Sequence, residues 1–431
     1  SSDMAQRRHR TARPTLTDRL RSLTPWNRSS RLSRAVGHGW RGHVGQDRIV
    51  YDATHIQVLE GREAIRKRPG MYVGSTSERG LHNQVFEVSD WAVNQVLARR
   101  ADRVDVALEP DGFVQIAIDG PGIPVGAAGD AGGSSLEDLL TRPHAGPQPG
   151  GRHSVDVGLF GMGPFVANAL SSRLRAEVRR EGMRWVQHYD RGAAVGPPAP
   201  AGPVTEEGTV IAFRPDADIF GTARCSFDAL AERFRELAFL NRGLDISLTD
   251  QRVPSGSRSE RFRFPGGAKD FVAFVDEQAG TFDETTVFGF EQEDPRIAGS
   301  VEVALRWGGS RTSRIRSFAN STPTPGGGAH VAGFREGVTA AINSFARERR
   351  LLPETDRGFS ADQVGDGLTA VVAVKLDRPE FEGATHGILG NAEVRGCVAQ
   401  AVREHLGAWL TEDVRLAAAV VSQITRDATH E

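Results

Sequence analysis

The sequence predicts an α+β protein of layered domains behind an arginine-rich start. Three observations predict it. Short runs such as residues 103–109 (RVDVALE) and 113–119 (FVQIAID) alternate with period two, as half-buried strands do. Longer runs such as residues 226–241 (SFDALAERFRELAFLN) repeat with the helical period. The two kinds follow one another without strict strand–helix–strand alternation, which favours an α+β architecture over a doubly wound sheet.

Taken in order, residues 1–45 lack apolar periodicity, are rich in Arg, Ser, Thr and Gly, and read as disordered. An Arg/Ser-rich, acid-poor start also matches an organellar transit peptide or a nucleic-acid-binding arm; a solvated tail is the preferred reading. Residues 56–75 suggest a short helix ended by Arg68-Pro69-Gly70. Residues 81–101 (LHNQVFEVSDWAVNQVLARRA) predict a longer helix, and the two alternating runs follow it. Residues 121–133 and 142–153 are Gly/Pro-rich loops. Pro164 suits the first position of another helix. Residues 208–215 (GTVIAFRP) read as a strand, 226–241 as a helix and 244–250 as a strand. The polar, turn-rich residues 251–267 suggest a domain boundary. Beyond it lie strands at 300–307 and 368–377, a helix at 333–349 between them, and helices at 392–413 and on to the end. No internal repeat is visible.

Composition narrows the function classes. The chain has 431 residues, 39% hydrophobic and 25% charged, as a globular protein does. No apolar run approaches the roughly 18 residues of a membrane span, which predicts a protein without membrane contact. The net charge of −2 hides an asymmetry: residues 1–50 hold eleven arginines against three aspartates. Only Lys67, Lys269 and Lys375 supply lysine, a bias that fits a GC-rich genome better than a chemical need. Cys225 and Cys397 are too few for a disulfide framework or a zinc site and read as buried thiols in a reducing cytoplasm.

Residues 118–126 (IDGPGIPVG) and 157–170 (VGLFGMGPFVANAL) suggest a phosphate site. Glycines spaced G-x-x-G-x-G before a helix let backbone N–H groups approach an anion, and the helix dipole helps. Glu87 upstream could act as general base on a water. Taken alone, a solvated helical glutamate and ordinary Gly/Pro turns are the simpler readings.

The order of the pieces changes that balance. RKRPGMY, FEVSDWA, DGPGIPVG, GLFGMG, EGTVIAFRP and GGAHVAGF, in this order, together resemble DNA gyrase B, from about Tyr51 to the end. The resemblance implies a GHKL (Bergerat) ATPase-type α/β sandwich at residues 46–264, with an N-terminal dimerisation arm. A transducer domain of the ribosomal-protein-S5-like fold and C-terminal helices would follow at 265–431. The TOPRIM and C-terminal parts of type IIA topoisomerases have no counterpart here.

Position by position, the resemblance makes Glu87 the catalytic glutamate. It assigns Asp119, Gly122, Pro124, Gly158, Leu159, Gly161, Gly163 and Thr209 to nucleotide binding, and Tyr51 and Ile56 to the dimer arm. Other family positions are substituted. Trp91 stands where an asparagine ligates magnesium, and Asn83 where a histidine orients the base. Ile118 replaces the aspartate that accepts the adenine amino group, and Pro121 an arginine. Val157 replaces a glycine. A Q-T-K segment that reaches the γ-phosphate reads Ala384-Thr385-His386.

An indole has no lone pair suited to magnesium, and Ile118 cannot accept an N–H. Losing that one contact costs roughly 1–3 kcal/mol. The substitutions together remove charge stabilisation on which phosphoryl transfer relies. Two readings follow. One is a bacterial, cytoplasmic pseudo-ATPase without cofactor or metal, dimerising with itself or with a gyrase-type subunit, with DNA contact open to its arginine-rich segment. The other is an active, ATP- and Mg²⁺-using subunit whose cleavage parts lie on another chain. Trp91 also has the plain reading of a core residue.

Overall fold

The computed structural model describes residues 61–126, 135–143, 157–158, 161–253, 256–280, 286–308, 312–352, 357–383 and 387–428. The predicted disordered extension, Tyr51, Ile56, Leu159, Ala384, Thr385 and His386 lie outside these residues.

The first lobe opens with α1 (Gly61–Lys67), α2 (Gly70–Val73) and α3 (Glu78–Leu97). Strands β1 (Val104–Leu108) and β2 (Val114–Ile118) form a hairpin, followed by α4 (Leu136–Thr141) and α5 (Pro164–Ala169). Next come β3 (Ser171–Arg180), β4 (Met183–Asp190), β5 (Ala193–Ala194), β6 (Ala199–Pro203) and β7 (Gly208–Pro215). The lobe closes with α6 (Ala217–Phe220), α7 (Phe227–Leu240), β8 (Ile246–Asp250) and β9 (Arg258–Phe262). These strands make one nine-stranded sheet, ordered β5-β4-β3-β7-β2-β1-β8-β9 with β6 beside β4. Only the β1–β8 pair within it is parallel.

The reason for this layering is visible along β3. Leu174, Ala176 and Val178 are buried on one face while Arg173 and Arg175 are exposed on the other. That alternation lets one face take helices and leaves the other to water. Helix α3 packs on β1 and β2, α5 on β3, and α7 on β8. Phe234, Leu237, Val85 and Val88 are fully buried in the resulting core. Complete burial of such a side chain contributes about 2 kcal/mol.

The second lobe holds α8 (Ala268–Gln278), β10 (Phe288–Asp294), β11 (Gly299–Trp307), β12 (Arg314–Ala319), β13 (Thr322–Pro323), α9 (Ala329–Glu348) and α10 (Ala361–Gly365). It continues with β14 (Leu368–Leu376), β15 (Phe381–Glu382), β16 (Ile388–Leu389), α11 (Ala392–Glu412) and α12 (Val414–Ala428). Its five-stranded sheet runs β10-β11-β14-β12-β13. β14 is buried on both faces, which explains its apolar run from Ala370 to Val374. Val372 and Val374 join the core made by α9 and α11, while Val371 and Ala373 join that of α8. Helices α9 and α11 touch closely because Gly333 and Gly337 lie between them. A Cβ at these positions would fall 2.2 Å from the Arg395 carbonyl oxygen and 2.7 Å from that of Ala399.

Helix α7 stitches the lobes together. Phe239 stacks on Phe264 and Phe271, with centroids 3.8 and 4.6 Å apart. Arg242 just beyond the helix pairs with Glu302 of β11 at 2.8 Å.

Two sequence expectations need correction. Residues 251–267 are not only a boundary: β9 lies inside them and pairs antiparallel with β8. Its sequence is polar because it is an edge strand with an exposed face. The β3–β4 hairpin is missing from the sequence expectations, although residues 173–179 alternate polar and apolar as a strand does.

Candidate functional site

Helix α3 carries the site. It is buried nearly all round over its central turns, so it relies on tertiary contacts and not on an amphipathic face. Its polar side chains at positions 84, 87 and 94 are spaced by three and seven residues, about one and two turns, and so fall on one face. Each meets a different neighbour. Gln84 donates to the Ala167 carbonyl and the Ser171 hydroxyl, both at 3.0 Å. Asn94 donates to the Val157 carbonyl at 2.9 Å and accepts from the Val157 N–H at 2.8 Å. That pair of bonds lets one amide side chain complete the backbone of Val157 as a neighbouring strand would.

Glu87 lies between them and is 3% exposed, so the solvated-glutamate reading is wrong. Its Oε2 accepts from the N–H of Met162 at 2.9 Å and of Gly163 at 2.7 Å. Gly163 is the N-cap of α5, followed by Pro164. Two amides of the glycine loop thus meet the carboxyl group of Glu87. Gly161 and Gly163 adopt φ of 64° and 63°, a conformation that β-carbon-bearing residues rarely take.

Trp91 is one turn beyond Glu87 and 8% exposed, within the same apolar cluster as Val157, Val88 and Val93. Ile118, Ile123, Val125 and Met162 pack against that cluster. Trp91 and Val157 belong to the core cluster of the first lobe and Ile118 packs against it; the family resemblance implies polar or glycine residues at these three positions. Ile118 pairs with Thr209 across β2 and β7. The Thr209 hydroxyl accepts from the Ile123 N–H at 3.2 Å and so holds the loop after β2.

The retained loop residues have structural partners too. Asp119 Oδ1 accepts from the N–H groups of Asp102 at 2.7 Å and Arg103 at 3.2 Å. At Gly122, with φ of 69°, a Cβ would sit 2.7 Å from the Arg179 carbonyl oxygen. Its own carbonyl accepts from Arg180 at 3.1 Å. Pro121 is exposed, and the Pro124 carbonyl accepts from Leu136 N–H at 2.9 Å, tethering the loop to α4. Gly158 lies beside Gly161, a Cβ there meeting the Gly161 backbone at 3.8 Å. Asn83 turns away from Glu87 and donates to the Val73 carbonyl at 3.0 Å.

Two groups near α3 have shifted protonation. Burial pushes the Asp90 carboxyl up, opposed by the Arg233 guanidinium. Burial pushes the His82 imidazole down, against Glu78. His82 Nε2 accepts from Ser226 N–H at 2.8 Å, at the N-cap of α7, which requires the neutral ring. Sequence reasoning missed Asn94 and Arg233. Asn94 had a signal, since it lies two turns after Glu87. Arg233 had none in its own helix.

At position 91 a magnesium ion would find no ligand atom. Trp91 offers an N–H and aromatic carbons, no lone pair. Among the described residues, no group of three or more His, Cys, Asp or Glu side chains is placed to hold a metal.

Comparison with known proteins agrees with this fold. The DNA gyrase B family model matches residues 267–431. DNA gyrase B of Streptomyces coelicolor is 43% identical over 393 residues, 88% of this chain and 57% of that protein. The novobiocin-resistant DNA gyrase B of Streptomyces niveus is 41% identical over 402 residues, 90% of this chain and 59% of that protein. The chain thus spans less than two thirds of the length of these relatives. Among solved structures, the 43K ATPase domain of Thermus thermophilus gyrase B in complex with an aminocoumarin matches with a TM-score of 0.72 at 32% identity, covering 86% of this chain and 95% of that one. The ATP-binding domain of Francisella tularensis topoisomerase IV matches with a TM-score of 0.68 at 27% identity, covering 86% and 98%.

The first lobe and its site therefore have the GHKL ATPase-type fold of type II topoisomerases. Within that class, the chain belongs to the DNA gyrase B family.

Proposed function

We propose that this protein is a gyrase-B-like pseudo-ATPase, a dimerising or regulatory partner in DNA topology whose ATP hydrolysis is impaired or absent. One observation carries the reading: Trp91 is built into an apolar cluster one turn beyond Glu87, where the family resemblance implies a magnesium-ligating asparagine. Two others support it. Glu87 is engaged by the glycine-loop amides, and Ile118 offers methyl groups where an adenine acceptor is implied. Asp119, Gly122, Pro124, Gly158, Gly161, Gly163 and Thr209 are, on this reading, inherited positions that now serve the loops' own structure. The partner is a second copy or a gyrase-type subunit, met through the segment containing Tyr51 and Ile56, in a bacterial cytoplasm. Residues 1–45 offer arginines for DNA contact.

The second reading is an active ATP-hydrolysing subunit whose cleavage parts lie on another chain. The retained Glu87 and the left-handed glycines at 161 and 163 favour it, and likeness in overall fold supports both readings equally. A Mg²⁺-dependent ATPase assay separates them. Activity that disappears in Glu87→Ala establishes the second reading; no turnover above that of Glu87→Ala supports the first.

A further inference from the structure

We propose that Arg233 is a positioning residue that links the site helix α3 to the second lobe. Its guanidinium lies between three elements and is only 11% exposed. Nη1 donates to the Ser321 carbonyl at 2.6 Å. Nη2 stands 3.6 Å from Asp90 Oδ1, and that carboxylate is 4% exposed. Asp90 is three residues after Glu87 and immediately before Trp91 on α3.

Ser321 belongs to an unusual turn. Asn320 and Ser321, between β12 and β13, have φ of 49° and 60°. Two consecutive non-glycine residues in the left-handed region persist only where the surroundings hold them. Here they are held from both sides. The Asn320 side chain accepts from Leu376 N–H at 2.8 Å and donates to its carbonyl at 3.0 Å, at the end of β14. The Ser321 hydroxyl accepts from Asn241 at 3.0 Å, just past α7. The turn is therefore a rigid knob of the second lobe, seated on α7 and touched by Arg233.

The other contact of Arg233 is incomplete. At 3.6 Å the Asp90 pair is an ion pair without a hydrogen bond, and Asp90 Oδ1 has no hydrogen-bond donor among the described residues. Buried carboxylate oxygens are normally satisfied. A shift of α3 of roughly half an ångström toward α7 closes the bond; a shift away releases it. Either movement redirects the same guanidinium that holds Ser321. The charges around it favour a shared position: Glu236 on α7 faces both Arg233 and Arg316 of β12, and Arg316 stands 3.9 Å from Glu232. A second packing reached by such a shift would make this interface a switch element. This link goes beyond the proposed function and holds whether or not nucleotide is turned over.

Hydrogen–deuterium exchange on the full chain tests it. Asp90→Asn removes the charge with little change of shape. The expected result is a change of about threefold or more in exchange at residues 317–324 and 374–377, with β10 and α12 unaffected. Arg233→Lys, which keeps the charge but cannot span both partners, should change the same segments and abolish any further effect of Asp90→Asn. Gln84→Leu, an equally buried change on α3 that does not touch Arg233, should leave the hairpin unchanged. Effects of Asp90→Asn confined to α3 and α7, or an equal response of the hairpin to Gln84→Leu, would overturn the proposal.

Discussion

Glu87 accepts two backbone hydrogen bonds from the loop it faces, 2.9 Å from Met162 N and 2.7 Å from Gly163 N. The Glu87 side chain thus holds the glycine loop against α3. Because hydrogen bonds to charged groups are each worth about 1.5–3 kcal/mol, losing both in Glu87→Ala should lower stability by about 3–6 kcal/mol. Both bonds end on one oxygen, so Glu87→Gln can keep them as weaker neutral bonds and should cost about half of that. Urea denaturation of the two variants beside the parent chain measures it. Equal stability of all three would mean that the loop does not depend on Glu87.

Trp91 predicts a second outcome. Trp91→Asn removes a large buried side chain and should cost about 3–5 kcal/mol. It should not by itself create nucleotide binding, since Ile118 still offers no acceptor. Trp91→Asn combined with Ile118→Asp should bind a non-hydrolysable ATP analogue measurably more tightly than either single variant. Fluorescence-detected thermal shift with and without Mg²⁺ reads this; an effect of Trp91→Asn alone as large as that of the pair would contradict it.

Asn94 uses both ends of its amide on Val157. Asn94→Asp keeps the acceptor, loses the donor, and turns a carboxylate oxygen toward the Val157 carbonyl. The expected loss is about 1–3 kcal/mol, the cost of an unsatisfied buried polar group. Asn94→Asp melting at the parent temperature would show that the clamp contributes little.

The second lobe should weaken in mild acid. His330 is fully buried, and burial pushes its imidazole down to about 4. In the unfolded chain it titrates near pH 6.5. Between these values the unfolded state binds a proton that the folded state does not. Stability present above pH 6.5 is therefore lost progressively as pH falls toward 4, by about 3 kcal/mol in all. His82 shifts in the same direction. Replacing His330 by Gln should flatten the stability profile between pH 7 and 5, measured by urea midpoints; an unchanged slope would assign the acid sensitivity elsewhere.

Much of this is legible in the sequence. Helix α3 is visible because its apolar run is long, and Glu87 and Trp91 because fixed spacing within a helix fixes their relative direction. The glycine loop is visible because G-x-x-G-x-G precedes a proline at the start of a helix. What the loop amides bind is not visible, because the partner is a side chain 75 residues away from Met162. The seat of Arg233 is hidden likewise, since its contact with Ser321 spans 88 residues and is made to a backbone carbonyl. Backbone acceptors carry no residue-type signal. β3 is legible in principle, since its outward arginines alternate with Leu174, Ala176 and Val178 as a half-buried strand requires.

The most direct test of the pseudo-ATPase reading is calorimetric titration of the purified protein with a non-hydrolysable ATP analogue, with and without Mg²⁺. The account predicts no heat of binding up to millimolar analogue under either condition. Micromolar, Mg²⁺-dependent binding would contradict it, and would mean that Trp91 and Ile118 yield to a nucleotide.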